Sequence, residues 1–358
     1  MDKINIRFER IQSSLSILNP MKDFSEDSYK VEVRKDPLLG DTSIYNPFMK
    51  DKAKAFFGVN DPRLVEEMVA ESARNCLFCG DSFETKTPRY PDDVLPEGRL
   101  KVGEALLFPN LYPAATYHAV IILSKAHFLR LPEFTPGLLA DGYRAALGLV
   151  RGAYAHDPGS VYVALNANYL FPAGASLVHP HLQMLITPVA YSYHGRIVEA
   201  SNRYHDVNSS SFFGDLIEKE RTLDERYVAA TGKWHWLTSF SPIGSNEVIA
   251  VHEEESDCAE LTDDDVNDLA LGVSRVLAFY ESLGHLSFNY TLYSVRKTAA
   301  GAGVRLILKM VTRQNLSSNY RNDDYFLQKL LQSELILNLP EDLAQQLTPY
   351  FRPDDPRG

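Results

Sequence analysis

The sequence predicts an α+β fold made of two tandem halves, each an antiparallel sheet with a flanking helix. Three observations predict it: apolar runs of strand length at hairpin spacing, one long amphipathic helix in each half, and the same element order in both halves. In the first half, Leu106–Asn110 and His118–Leu123 read as strands. Thr135 then suits a helix N-cap and Pro136 the first helical position, opening a helix from about Gly137 to Tyr154. Strands follow at Val161–Asn166 and Leu182–Thr187. In the second half, Trp236–Pro242 and Glu247–Val251 repeat the strand pair. Thr262, 127 positions after Thr135, opens the second helix, with Asp265 placed for a capping box. Val266, Leu269, Val273, Val276, Leu277 and Tyr280 keep its 3.6-residue period, and Gly284 suits its end. Alternation over Leu286–Leu292 and Val304–Met310 completes the copy. The division expected is an N-terminal extension over 1–75, a first half over 76–190, a polar linker over 191–233 with a helix near Phe213–Arg226, and a second half over 234–358.

Composition bounds the class. The chain has 358 residues, 45% apolar and 23% charged, which excludes a disordered or collagen-like chain. Its net charge of -11 argues against nucleic acid or an anionic membrane as partner. No apolar run is long enough to cross a bilayer, and Met1–Arg7 lacks the apolar core of a signal peptide. Three cysteines are too few for a disulfide framework, so the expected location is a reducing cytoplasm.

The chemistry concentrates in Gly174-Ala175-Ser176-Leu177-Val178-His179-Pro180-His181-Leu182-Gln183. In an extended chain, residues two apart share a face, so His179, His181 and Gln183 can project together while Leu182 and Met184 project oppositely. Two imidazoles and an amide facing one way are costly to bury unless they bind something. The small residues upstream let backbone N–H groups approach an anion, with the Ser176 hydroxyl as a further donor. Neutral imidazole is a competent nucleophile, and a carboxamide donates to a phosphoryl oxygen without exchanging protons. The set suits phosphoryl or nucleotidyl transfer through a covalent histidine. The bland readings are a satisfied histidine pair at a strand edge, or a two-histidine metal site. A second signal is Cys76-Leu77-Phe78-Cys79-Gly80, the short arm of many zinc sites. Two histidines are needed to complete it, from His118, His127 and His179. Four protein ligands would make the zinc structural.

These motifs resemble the galactose-1-phosphate uridylyltransferase family, a branch of the histidine-triad superfamily. The family's H-P-H-x-Q after a Gly-x-Ser turn is matched by His179-Pro180-His181-Leu182-Gln183 after Gly174-Ala175-Ser176. Its preceding Asn is matched by Asn168, and its C-x-x-C by Cys76 and Cys79. Phe108–Pro113 is similar to the ribose-binding strand end, with Asn110 at its tip. Ser124-Lys125-Ala126-His127 looks like the segment that supplies a zinc-binding histidine, and Arg34–Asp41 resembles the family's R-x-D-P-x-x-G-E. The resemblance implies two histidine-triad-like halves and a homodimer. It makes His181 the nucleophile and Gln183 the residue at the transferred phosphoryl oxygens. Asn168, Gly174, Ser176 and Asn110 would be substrate-binding, and Cys76, Cys79, His127 and His179 would hold a structural zinc.

The expected activity is therefore transfer of a nucleoside monophosphate from a nucleotide sugar to a sugar 1-phosphate. Two departures bear on it. The uridylyltransferases carry a second H-x-H pair on the strand matching Arg305–Thr312, where this chain has Leu306-Ile307-Leu308-Lys309-Met310. Leu182 replaces the usual glycine of the motif, as in dinucleoside-polyphosphate phosphorylases, and Ala-Gly-Ala-Ser is similar to the ADP-glucose phosphorylase branch. The alternatives are thus a phosphorylase of ADP-glucose or dinucleoside polyphosphates, with phosphate as acceptor, and a zinc-stabilised nucleotide-binding protein that has lost catalysis. Lys309, Arg313 and Glu334 are the polar residues of the second half considered for the sugar.

Overall fold

The computed structural model describes residues 4–80, 82–318 and 322–352. Among them are a four-stranded sheet and a ten-stranded sheet. The small sheet joins β1 (Glu9–Asn19), β2 (Ser25–Lys35), β3 (Thr42–Tyr45) and, from far along the chain, β14 (Ser333–Ile336). The large sheet takes β4 (Leu100–Val102), β5 (Ala105–Pro109), β6 (Tyr117–Ile122), β7 (Tyr162–Tyr169) and β8 (His181–Thr187) from the first half. From the second it takes β9 (Tyr227–Thr231), β10 (Trp234–Thr238), β11 (Val248–His252), β12 (Phe288–Val295) and β13 (Ile307–Thr312). Six helices are two turns or longer: α1 (Pro62–Ala73), α2 (Pro136–His156), α3 (Ser192–Asn208), α4 (Phe212–Leu223), α5 (Asp263–Ser282) and α6 (Pro340–Leu347).

The large sheet is antiparallel throughout, in the order β4-β5-β6-β8-β7-β12-β13-β11-β10-β9. Read inward from either edge, the order is the same. The repeat is thus an internal twofold, with β7 against β12 at its centre. Leu165 pairs directly with Leu292, and these residues are 127 positions apart, as are Thr135 and Thr262. One offset therefore relates both the central strands and the helix starts.

Those starts form as the residues dictate. Thr135 accepts from the Leu138 N–H with Pro136 in the first turn, and Thr262 and Asp265 complete a reciprocal capping box. Helices α2 and α5 pack side by side on one face of the sheet. They bury Val163, Leu165, Leu182 and Met184 of the first half, and Tyr290, Leu292, Leu308 and Met310 of the second. Period-2 alternation leaves the other face to His181, Gln183, Asn166 and their neighbours. The short edge strands β4 and β9 extend each copy beyond the four strands expected from the sequence. Residues 191–233 hold α3, α4 and β9. Their apolar positions, Ile197, Phe212, Phe213, Leu216 and Ile217, close over the open face of the second half on Leu237, Ile249, Val251 and Ile307. On the first half the same face carries Phe78 of the C-x-x-C loop, packed on Phe108, Val120 and Ile122. No helix among the described residues is long and apolar enough to cross a membrane.

Helix α5 approaches the sheet closely at Gly272, where a Cβ would overlap the fully buried Trp236 ring. Gly272→Ala should therefore lower unfolding stability by about 1–3 kcal/mol, the usual cost of overpacking, read as a lower denaturant midpoint at unchanged slope.

Candidate active site and metal group

Strand β8 begins at His181. Across the sheet, Ile122 lies opposite His181, Val120 opposite Gln183 and His118 opposite Leu185 on β6; Asn166 lies opposite Gln183 on β7. His179 precedes the strand and is fully buried. The Leu123 N–H donates to the carbonyl of the intervening Pro180, which fastens this turn to the end of β6.

The ligand atoms of Cys76, Cys79, His127 and His179 all lie within 4.8 Å of one another. Cys79 Sγ is 3.4 Å from Nδ1 of both histidines, and Cys76 Sγ is 3.6 Å from His179 Nδ1. The far nitrogens are committed elsewhere: His179 Nε2 bonds the Ser124 carbonyl at 2.7 Å, and His127 Nε2 bonds Ser72 Oγ on α1 at 2.9 Å. Both rings therefore turn Nδ1 inward, and their outer partners hold them there, the arrangement usual around ligating histidines. Burial pushes His179 down to about 4, so its ring is neutral and able to ligate. Burial and the adjacent Cys76 thiol push Cys79 up, a direction that a divalent cation would reverse. Two thiols and two imidazoles form the soft, tetrahedral-sized donor set that suits zinc.

His181 is tied to this group through the backbone. Its Nδ1–H donates to the His179 carbonyl at 2.8 Å, and its Nε2 has no protein partner among the described residues. Burial lowers its basicity below the ordinary imidazole range, which favours the neutral ring. Phe78, inside the C-x-x-C loop, sets its ring edge-on to His181 at 5.6 Å, to His179 at 5.9 Å and to Phe108 at 5.7 Å. With Leu106, Val120 and Ile122 it forms an apolar wall beside the nucleophile candidate. A cleft of about 660 Å³ opens past this wall, lined by Phe78, Leu106, Ile122, Arg89, Lys101 and Lys125 among others.

The remaining candidates fall into two groups. Gln183 bonds His118, which is also 3.3 Å from the amide of Asn110 at the end of β5. Asn168 bonds Asn289, which also reaches the carbonyl of Ala173, beside Gly174. Gly174 has φ +81°, a conformation that favours glycine, and Ser176 is exposed in the same turn. His118 does not join the metal group, and its role as partner of Gln183 shows only in the pairing of β6 with β8. Asn289 and Phe78 were likewise not singled out by the sequence.

The internal twofold shows which residues stand at the matching positions of the second half. Tyr293, 127 positions after Asn166, pairs with Ile307 as Asn166 pairs with Gln183. Ile307 thus stands where Gln183 does, and Arg305 where His181 does. Arg305 donates to the carbonyls of Glu253, Ala302 and Val304, and Ile307 is buried beneath α3 and α4. Lys309 pairs with the buried Glu247 at 2.9 Å. Arg313 makes two bonds to Asp323, and Glu334 is buried and accepts from Gln328.

No protein-family model matches the chain. A protein of Archaeoglobus fulgidus described as uncharacterised is 27% identical over 319 residues, 88% of this chain and 91% of its own. ADP-glucose phosphorylase of Arabidopsis thaliana is 24% identical over 226 residues, 56% of this chain and 61% of that protein. Among solved structures, an ADP-glucose phosphorylase from Arabidopsis thaliana with bound ADP-glucose matches with a TM-score of 0.67 at 18% identity, covering 89% of this chain and 98% of that one. A uridylyltransferase structure matches with a TM-score of 0.63 at 19% identity, covering 89% and 98%. The fold of this chain is that of these ADP-glucose phosphorylase and uridylyltransferase structures.

Proposed function

We propose that the protein is a nucleotidyltransferase that moves a nucleoside monophosphate from a nucleotide sugar to a sugar 1-phosphate through a nucleotidyl-His181 intermediate. The observation that carries this reading is the imidazole of His181, anchored through Nδ1, with Nε2 unpartnered among the described residues and Gln183 two residues along the same strand face. The Nε2 lone pair attacks the α-phosphorus of the donor, and the bond from that phosphorus to the bridging oxygen breaks, releasing a sugar 1-phosphate. The Nδ1–H bond to the His179 carbonyl supports the positive charge that the ring then carries. In this reading Gln183, Asn168 and Ser176 donate to the phosphoryl oxygens, a preorganised electrostatic effect. A phosphate oxygen of the acceptor then displaces the ring and restores neutral His181, giving ping-pong kinetics. Gln183 in place of a further histidine leaves no general acid for a poor leaving group, which favours transfer over hydrolysis. The apolar wall of Phe78, Phe108 and Ile122 suits a nucleobase. Gly174 lets the backbone amides of its turn approach the phosphates, and Asn110 suits the ribose.

Cys76, Cys79, His127 and His179 would hold zinc, which when bound supplies structure rather than a reacting group. This group suits a reducing cytoplasm. A homodimer fits the exposed apolar stripe of Ile11, Leu15 and Ile17 along the β1–β2 ribbon. A second reading takes inorganic phosphate as the acceptor, making the protein an ADP-glucose phosphorylase. The Arabidopsis thaliana relative of that name favours it.

The readings separate when the protein is given ADP-glucose or UDP-glucose with hexose 1-phosphate, with phosphate, or with no acceptor. Exchange that needs hexose 1-phosphate supports the first, and nucleoside diphosphate formed only with phosphate supports the second. His181→Asn should lower either rate by at least about a thousandfold while the fold and zinc content persist; retained turnover would remove His181 as nucleophile. Cys76→Ser should reduce bound zinc by elemental analysis and lower stability together, by several kcal/mol as an order of magnitude. Unchanged zinc content would refute the ligand assignment.

A further inference from the structure

Two carboxamides flank His181. Gln183 lies two residues along the same strand, and the β7–β8 register, continued by one pair, sets Asn168 beside His181 itself. A carboxamide has two ends, and only its NH2 donates to a phosphoryl oxygen. Turned the other way, it would set a carbonyl oxygen against an anion. The surrounding hydrogen bonds fix the orientation of each, starting from groups whose direction is not in doubt.

For Gln183 the chain starts at the backbone N–H of Ala114, which can only donate. It donates to His118 Nδ1 at 3.0 Å. An accepting Nδ1 carries no proton, so in the neutral ring Nε2 carries it, and burial of His118 favours the neutral ring. Nε2–H then donates to Gln183 Oε1 at 2.8 Å, while the Asn110 NH2, 3.3 Å from the same protonated nitrogen, touches it without bonding. For Asn168 the chain starts at two groups. The Ala173 carbonyl can only accept, and it lies 2.9 Å from Asn289 Nδ2. The Arg313 guanidinium can only donate, and it lies 2.6 Å from Asn289 Oδ1, itself held by two bonds to Asp323. Asn289 therefore turns its NH2 toward Asn168, 2.7 Å away, and Asn168 must meet it with Oδ1. Both chains end alike. The oxygens of Gln183 and Asn168 are occupied, and neither amide nitrogen has a protein partner among the described residues.

We infer that His118 and Asn289 are positioning residues of the transfer reaction, tying back the amide oxygens of Gln183 and Asn168 so that both NH2 groups are presented beside His181. The inference rests on the nucleotidyl-transfer reading above. It also gives the second half a task, because Asn289 and Arg313 lie on or beside strands of that half yet set up a site in the first. Asn289 further holds the Ala173 carbonyl, so one side chain fixes both Asn168 and the turn leading to Ser176. Donors aimed at non-bridging oxygens act most strongly where charge develops, so their misorientation should appear in kcat more than in KM.

The test compares His118→Leu, which removes the donor, with His118→Gln, whose amide nitrogen can replace it, using ADP-glucose and UDP-glucose with phosphate and hexose 1-phosphate. His118→Leu should lower kcat by about tenfold to a hundredfold with KM little changed, and His118→Gln should recover most of the loss. Asn289→Asp, nearly isosteric, keeps the Arg313 contact but sets oxygen against Asn168 Oδ1, and should lower kcat over the same range. Nitrogen-15 NMR of the wild-type imidazoles reads the orientation without turnover: His118 should be neutral with its proton on Nε2. An Nδ1–H tautomer, equal losses in His118→Leu and His118→Gln, or a wild-type kcat in His118→Leu and Asn289→Asp would overturn the positioning role. A wild-type protein that transfers no nucleotide under any of these conditions would instead overturn the reaction reading itself.

Discussion

The bond from His181 Nδ1–H to the His179 carbonyl is the constraint on which the site depends. Through one residue of backbone it links the ring of His179, whose Nδ1 faces Cys76 and Cys79, to the ring of His181, whose Nε2 has no protein partner among the described residues. His179 is itself held from both sides, by the Ser124 carbonyl at one nitrogen and the cysteines at the other. Phe78 bears on both rings from within the C-x-x-C loop. Rotating His181 would give up its Nδ1 bond in a site that is more than nine-tenths buried, where an unmade hydrogen bond is expensive. Two adjacent histidines can thus have different tasks, with the first fixing the second.

The frame that presents this turn is used twice, and its two copies differ in what covers them. In the first half the face opposite α2 carries Phe78 of the C-x-x-C loop, and a cleft forms beside it. In the second half the corresponding face lies under α3, α4 and the Asp36–Leu39 turn, and the positions that match His181 and Gln183 hold Arg305 and Ile307. Lys309 fills the next place on that face, neutralised by Glu247 and covered by Tyr193. A buried pair of this kind gains little over an apolar one but is costly to break, which fixes the second half in its covered form. Through Asn289 and Arg313, residues of that half still reach across the central strands.

How much of this the sequence reveals depends on the distance over which each feature is encoded. The helix starts at Thr135 and Thr262, the antiparallel α+β class and the H-P-H-L-Q segment are local patterns, and a strand period of two is enough to separate His181 and Gln183 from Leu182 and Met184. The group of Cys76, Cys79, His127 and His179 is spread along the chain, and in the sequence only the resemblance to a known family joins its members. His118 and Asn289 were beyond reach because their partners, 65 and 121 positions away, are set by strand registers that a single sequence does not state. The edge strands β4 and β9 are too short to stand out, and the polar composition of 191–233 conceals apolar positions that matter only once a sheet face is there to receive them.

The central claim is that a nucleotide resides for part of each cycle on one ring nitrogen. Rapid alkaline quenching of the protein mixed with ADP-glucose and no acceptor, followed by peptide mapping by mass spectrometry, tests it most directly. The account predicts a nucleoside monophosphate on the imidazole of His181, in amounts approaching one per chain, lost again when the acceptor is added. Release of glucose 1-phosphate with His181 unmodified, or an adduct on another residue, would contradict it.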